Sequence, residues 1–585
     1  MNPLIQLKTT PPLLITLTFL CFALLPRAQA VVPSPDGGYP GFNTAEGQAA
    51  LFSLTTGTGN VAVGWGSLYS DAEGGLNTAI GTGALLFNTA DQNTAIGAGA
   101  LLFNNSGTYN TANGAFALHI NTTGSDNTAN GYQVLYRNVS GQDNTGTGFK
   151  ALDNNDGDQN TANGSQALYL NTDGSDNTAI GFNALYNDQG DENTAIGSQA
   201  LFSNTSGGTN TATGFQALLS NTTGFGNTAN GAGALDSNTT GSGNTAIGED
   251  ALDQNNGDSN TATGFAALAD NTTGTQNTAN GYQALLNNTT GAGNTANGYQ
   301  ALNANTTADN NTANGYQALY SNTTGFGGNT AAGYQALYSN TTGFDNTAIG
   351  DDALMNNTTG NNNTAVGVVA LASNTVGSGN IALYGGDRLT TGDFNIDIGN
   401  DGVAGEARTI RIGTAIFQTK TFIAGIYNVN EGGTILPVYI NSNGQLGTMS
   451  SSRRFKEEIR PMDQASEAIL ALKPMTFRYK KEIDPDGIPQ FGLVAEDVAK
   501  VNPDLVARDA DGKAYTVRYD AVNAMLLNEF LKEHRKNEQQ ESKIEQQDTK
   551  IARQQKQIED LTIGLQKVSA QLEAIKPAPQ VVVSP

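Results

Sequence analysis

A serine hydroxyl becomes a useful nucleophile when a base takes its proton. The run Ser450-Ser451-Ser452-Arg453-Arg454-Phe455-Lys456 sets three serines ahead of a lysine. A lysine amine can act as that base where burial or a positive neighbour lowers its pKa. Arg453 and Arg454 either supply such a field or are plain surface charges. Ser451 and Lys456 stand five residues apart, a spacing that puts the two side chains on different faces of a helix or a strand. A working pair therefore needs a bend in the loop, or a serine and a lysine from different chains. Read alone, the run is a serine-rich linker leading into a basic strand.

Other chemistries find little support. The histidines are His119 and His534, far apart, so neither an imidazole metal cluster nor a Ser-His-Asp triad is expected. No metal and no cofactor is expected. Acidic corners such as the one holding Asp253 and Asp258 read as solvated turns rather than Ca²⁺ sites. The formal charge of −24 argues against nucleic acid as a partner.

The first thirty residues read as an export signal. Lys8 gives a positive start, an apolar run extends from Leu13 to Leu25, and Ala28-Gln29-Ala30 is a small-x-small cleavage site. The run is too short for a spanning helix, which needs ~20 apolar residues. The single cysteine, Cys21, lies inside it, so the mature chain has no thiol, and no later segment is apolar enough to span a bilayer. The expected location is outside the cell or on its surface.

Between the signal and the serines the chain is dominated by one repeat: Asn-Thr-Ala-x-Gly, two residues, Ala-Leu, and often Asn-Thr-Thr-Gly. Its anchoring asparagine recurs 21 times from Asn43 to Asn380, at intervals of 16 to 18 residues. Helical repeats need ~33 residues or more, so this period predicts one turn of a parallel β-solenoid. Gly, Asn and Asp are expected at the corners because they tolerate positive φ. Leu85, Leu101, Leu168, Leu185, Leu201, Leu218 and Leu302 occupy one position and are expected to form a core file. Asn-Thr-Thr also matches the glycosylation sequon, which a corner-forming asparagine explains without sugar. Adjacent Thr pairs such as Thr341-Thr342 point to opposite faces of a strand and do not suit a flat ice-binding face. Asn77-Thr78-Ala79-Ile80-Gly81 and Asn93-Thr94-Ala95-Ile96-Gly97 resemble the head repeats of trimeric (YadA-like) bacterial adhesins. Many coils depart from them with Asn in the fourth place, as in Asn277-Thr278-Ala279-Asn280-Gly281. That resemblance implies a trimeric β-roll.

Beyond the serines come Ala471-Leu472-Lys473-Pro474-Met475-Thr476-Phe477-Arg478-Tyr479, then Phe491-Gly492-Leu493-Val494-Ala495-Glu496-Asp497-Val498. Pro503-Asp504-Leu505-Val506 and Val517-Arg518-Tyr519 follow. With the serine run, these resemble the intramolecular chaperone domain of phage tailspikes and related fibres, the S74 peptidase family. The resemblance implies that the domain folds and trimerises the preceding fibre and then cuts itself off. It implies Ser451 as nucleophile, Lys456 as general base, and the Ser450–Ser451 bond as the one cut. Farther on, Ile544, Ile551, Ile558, Leu565 and Leu572 recur every seven residues, with Leu561, Val568 and Ile575 at the companion position. These heptads predict a parallel coiled coil. Gln540, Gln547 and Gln554 weaken its upper seam, and Pro577 and Pro579 end it.

The expected organisation is an export signal (1–30), a β-solenoid shaft (31–392), a neck of short strands (393–449) and a small α+β processing domain (450–536). A coiled coil (537–576) and a tail (577–585) complete it. The expected fold is mainly β and trimeric, and the expected function is an exported homotrimeric fibre that processes itself once. The alternative is a surface adhesin whose C-terminal domain stays attached as a clamp. What surface glycan or protein the shaft meets is open. A glycan-hydrolysing fibre lacks a persuasive pair of catalytic carboxylates, and a phage fibre sits badly with an export signal.

Overall fold

The computed structural model describes residues 39–414, 416–418, 420–423, 437–441, 444–509 and 511–538, with scattered residues between 550 and 562. The expected export signal and most of the expected coiled coil lie outside the described residues. The chain divides into two compact units, residues 1–419 and 420–585.

The first unit is a parallel β-solenoid. Twenty-three strands, from Thr44–Glu46 to Ile410–Ile412, form one sheet, and each pairs in parallel with the next strand along the chain. Twenty-two turns at ~4.8 Å per strand spacing give a stack of roughly 100 Å. Each regular strand is the three residues after an anchor asparagine. In Thr128–Asn130 the two flanking side chains are exposed and the central alanine is buried, as the two-residue period of a strand requires. Two further strands, Ile396–Ile398 and Ile410–Ile412, carry the sheet past residue 392, where the regular repeat was expected to end.

The predicted leucine file is the core. Leu85, Leu101, Leu168, Leu185, Leu201, Leu218 and Leu302 are all fully buried, each preceded by a fully buried alanine. These leucines adopt a left-handed backbone, with φ of +51° at Leu168 and +54° at Leu218. Left-handed backbone costs an L-residue roughly 1–2 kcal/mol. Burying a leucine returns about 1.5–3 kcal/mol, so burial wins at each coil.

Asn183, Asn310 and Asn362 do adopt the expected positive φ, but the buried asparagines do something other than turn corners. The anchor asparagines have no positive φ; the residue before them often does, as at Asp126 and Glu192. Each anchor points inward and joins coils. Asn210 Oδ1 accepts the backbone N–H of Asn227 at 2.9 Å, and Asn227 Nδ2 donates to the Gly241 carbonyl at 2.9 Å. A second buried file runs beside it: Asn221 Nδ2 donates to Asn204 Oδ1, and Asn238 Nδ2 to Asn221 Oδ1, at 2.8 and 2.9 Å. Corner amides and carbonyls that face a dry interior need partners. Asparagine alone among short side chains offers both a carbonyl acceptor and an NH₂ donor to span two coils. The sequon asparagines, Asn221 and Asn238 among them, belong to this second file, so in the folded shaft their Nδ2 atoms are buried and already bonded.

On the outside, Phe265, Tyr282, Tyr299, Tyr316 and Tyr334 stack ring on ring, with centroids 5.1 to 5.3 Å apart. Gln283, Gln300, Gln317 and Gln335 form an amide ladder beside them, each bond 3.0 Å. The last two strands break the inward pattern. Where the other coils place alanine, or glycine at Gly146, they place Asp397 and then Arg411. Burial pushes the Asp397 carboxyl up to about 6, and Arg411 is tied to Glu406 at 2.7 Å. A chain truncated after Ser450 is expected to give a β-type circular dichroism spectrum with little helix. A strongly helical spectrum would contradict the coil assignment.

The second unit is small. Short antiparallel pairs Met475–Phe477 with Gln490–Gly492 and Val506–Arg508 with Ala514–Val517 accompany helices Ala495–Val501 and Tyr519–Glu538. Its core is Val498, Leu505, Val506, Val517, Val522 and Met525. Phe491, Leu470, Phe455 and Leu526 stay exposed, at 82%, 75%, 63% and 57%.

Candidate processing site

The bend that the serine–lysine spacing demands is a single 3₁₀ turn. Ser452 is extended, with φ −66° and ψ 138°; Arg453–Phe455 make one turn; Lys456 is extended again, its N–H bonded to the Arg453 carbonyl. A 3₁₀ turn closes in three residues, so the chain doubles back. Lys456 Nζ thereby reaches Ser451 Oγ and donates to it at 3.1 Å. The contact forms within one chain. Ser450 is used differently: its Oγ accepts the backbone N–H of Ser452 at 3.3 Å. Of these two serines, the lysine meets Ser451.

Arg454 lies over the Phe455 ring, its guanidinium carbon 4.6 Å from the centroid, a cation–π contact rather than an ion pair. Residues 451 to 460 are all exposed on the single chain. An amine that serves as base must shed its proton near neutral pH, and desolvation or a neighbouring cation is what brings that about. The geometry of the pair is present in one chain, whereas a covering wall is not.

The downstream motifs converge on each other. Tyr519 Oη accepts the Leu493 N–H at 2.8 Å, which fastens Val517-Arg518-Tyr519 to Phe491-Gly492-Leu493. A Cβ at Gly492 would stand 2.7 Å from that hydroxyl, so a side chain there would have to displace the end of Tyr519. Arg518 N–H meets the Leu505 carbonyl at 2.9 Å, joining the Pro503–Val506 motif to the same frame. Sequence reasoning missed a further cluster that pins helix Tyr519–Glu538 to the turn Asp463–Ala471. Fully buried Ser466 donates to Glu529, and Asn528 Nδ2 donates to Ser466 Oγ at 2.7 Å. Lys532 holds the Glu529 carboxyl below its usual range. Partners some sixty residues apart leave no local signal from which this cluster could have been found.

No group of three or more His, Cys, Asp or Glu side chains among the described residues could hold a metal ion. No described helix is long and apolar enough to cross a membrane. Compared with known families, residues 451–507 match the peptidase family S74 model, described as the chaperone of endosialidase, and the match begins at Ser451. No curated protein and no solved structure matches the chain.

Proposed function

We propose that this protein is an exported homotrimeric fibre whose C-terminal domain assembles the shaft and then releases itself by cutting the Ser450–Ser451 bond. The observation that carries the reading is the 3.1 Å contact between Lys456 Nζ and Ser451 Oγ, at the residue where the family match begins. In the proposed reaction, the Lys456 amine takes the Ser451 hydroxyl proton and Oγ adds to the Ser450 carbonyl carbon. The C–N bond breaks, the departing Ser451 nitrogen takes the proton back from Lys456, and Ser450 is left as an ester on Oγ. Water hydrolyses that ester to a Ser450 carboxylate and a free Ser451 hydroxyl.

Trimerisation explains two features that a single chain leaves unexplained. Large apolar side chains such as Phe491 and Leu470 stand in solvent, and neighbouring copies would cover them. The same covering would desolvate the pair and make cutting wait for assembly. The adhesin-like repeats fit a shared axis, and an acidic chain whose single cysteine, Cys21, lies in the expected export signal suits life outside the cell. Purified protein is expected to separate into a trimeric shaft and a smaller fragment by mass. A full-length trimer would favour the non-cleaving adhesin, with the domain kept as a clamp. A monomeric shaft by light scattering would end the reading.

A further inference from the structure

The second asparagine file is a relay in which each amide donates one coil back. Asn171 Nδ2 reaches Asn155 Oδ1 at 2.7 Å, and Asn221 Nδ2 reaches Asn204 Oδ1 at 2.8 Å. The file runs from Asp71 to Asn374; a carboxyl replaces the amide at its head, Asp71, and once within it, Asp188, both fully buried like their neighbours. On the C-terminal side of Asp188 the link is kept, because Asn204 Nδ2 donates to Asp188 Oδ1 at 2.5 Å. On its N-terminal side a donor is missing. Asn171 Oδ1 is buried without a hydrogen-bond partner; in this file Asn374 Oδ1 shares that condition, at the end where no further amide follows. Flipping the Asn171 amide offers no remedy, since its Nδ2 would abandon Asn155 Oδ1 and the Gly174 carbonyl, both at 2.7 Å.

The two oxygens of Asp188 are not equivalent. Oδ1 accepts from Asn204, from the Gly190 N–H at 3.2 Å and from Asn193 Nδ2 at 3.4 Å. Oδ2 has a single long contact, Asn193 Nδ2 at 3.5 Å. Oδ2 is therefore the oxygen free to carry a proton, and the preceding coil holds the acceptor that lacks one. We propose that Asp188 sits in the folded shaft as a neutral carboxylic acid whose Oδ2 proton is donated to Asn171 Oδ1, closing the relay with a structural proton.

The surroundings support the neutral form. Burial is the main cause that pushes this carboxyl up to about 7, and Asp191 on the same coil adds to it. The side chains that meet it from adjoining coils, Asn193 and Asn204, are neutral amides, as is Asn171 in its register one coil back. In the unfolded chain the group returns to its ordinary value of 3.8. As pH rises from about 4 to about 7, the unfolded chain gives up this proton while the folded one keeps it. The contribution is thus whole in acid and is lost towards neutrality.

The test compares the full chain with Asp188→Asn, which supplies a permanent Nδ2 donor. Hydrogen exchange of the amides in coils 171–204 and unfolding are followed across pH. Below about pH 4 the gap between the two proteins is expected to be small. Towards pH 7 the wild type falls behind by about tenfold per pH unit. An infrared difference between them near pH 6 is expected to show a protonated carboxyl band. Asp188→Leu, with neither donor nor acceptor, is expected to trail both at every pH. A gap that does not change with pH, a difference spectrum of carboxylate alone, or a leucine variant as stable as the asparagine one would each overturn the proposal.

Discussion

A chain carrying Ser451→Ala is expected to stay at full length after it has folded and assembled. The Ser451 hydroxyl is the atom that Lys456 reaches, and alanine leaves nothing to add to the Ser450 carbonyl. Lys456→Ala is expected to slow cutting by about 10²–10⁴-fold, the usual worth of a general base. Lys456→Arg is the sharper variant. Arginine can still donate to Ser451 Oγ, so a merely structural contact survives, yet it does not deprotonate in proteins and cannot take the serine proton. Uncut protein in both lysine variants, with trimer and fold intact, would identify proton transfer as the role. The wild-type small fragment is expected to begin at Ser451 by N-terminal sequencing. Phe491→Asp separates assembly from local chemistry. Phe491 is 82% exposed on one chain, so a charge there should spare the monomer fold and obstruct the covering by neighbours. Loss of cutting in that variant would tie the reaction to assembly. Efficient cutting of the Ser451→Ala chain would remove the mechanism.

Gly131→Ala is expected to destabilise the shaft by more than about 3 kcal/mol, although it adds one methyl group. Gly131 closes its strand at φ +136°, and a Cβ there would lie 1.9 Å from the Gly148 carbonyl oxygen of the next coil. That neighbour is backbone and cannot swing aside. Gly114 and Gly148 stand in the same file with the same conflict, at 2.2 and 2.5 Å, so relief at one coil transmits to the next. Solenoid coils touch only their neighbours, so the damage should appear as a local seam, seen as fast hydrogen exchange and protease nicking between residues 114 and 148. Gly83→Ala is the control. Its φ is also positive, +69°, but its nearest neighbour is the Leu102 side chain at 3.5 Å. Backbone strain alone is expected there, about 1 kcal/mol. Equal effects from the two substitutions would show that coil-to-coil contact is not what demands glycine.

The solenoid was legible because its period is short and its apolar residues recur at fixed places. Leu168 and Leu218 could be assigned to the core without coordinates. What asparagine does inside it was not legible. Composition tables make Asn a corner residue, and only the closed coil reveals that Asn210 and Asn221 face inward, where unpaired main-chain groups await an amide. The left-handed leucines were equally hidden, since nothing local marks Leu168 as strained; the stack imposes that backbone and burial holds it. The continuation of the sheet through Ile396–Ile398 and Ile410–Ile412 escaped notice because those coils shorten and lose the Thr-Ala signature. At the candidate site, the spacing of five posed the right question, and the turn Arg453–Phe455 answers it within one chain.

A parallel sheet one strand wide per coil has a first and a last strand, Thr44–Glu46 and Ile410–Ile412, each paired within the sheet on one side only, and an unpaired strand edge can template a further strand. The final coils make one end unsuitable. A coil laid over Ile410–Ile412 would have to set its small inward residue against Arg411, sealing a guanidinium and its Glu406 partner beneath an apolar floor at several kcal/mol of desolvation. Extension of the sheet past that strand by a further coil of the regular kind is thereby opposed, so the last strands act as a stop written into the sequence.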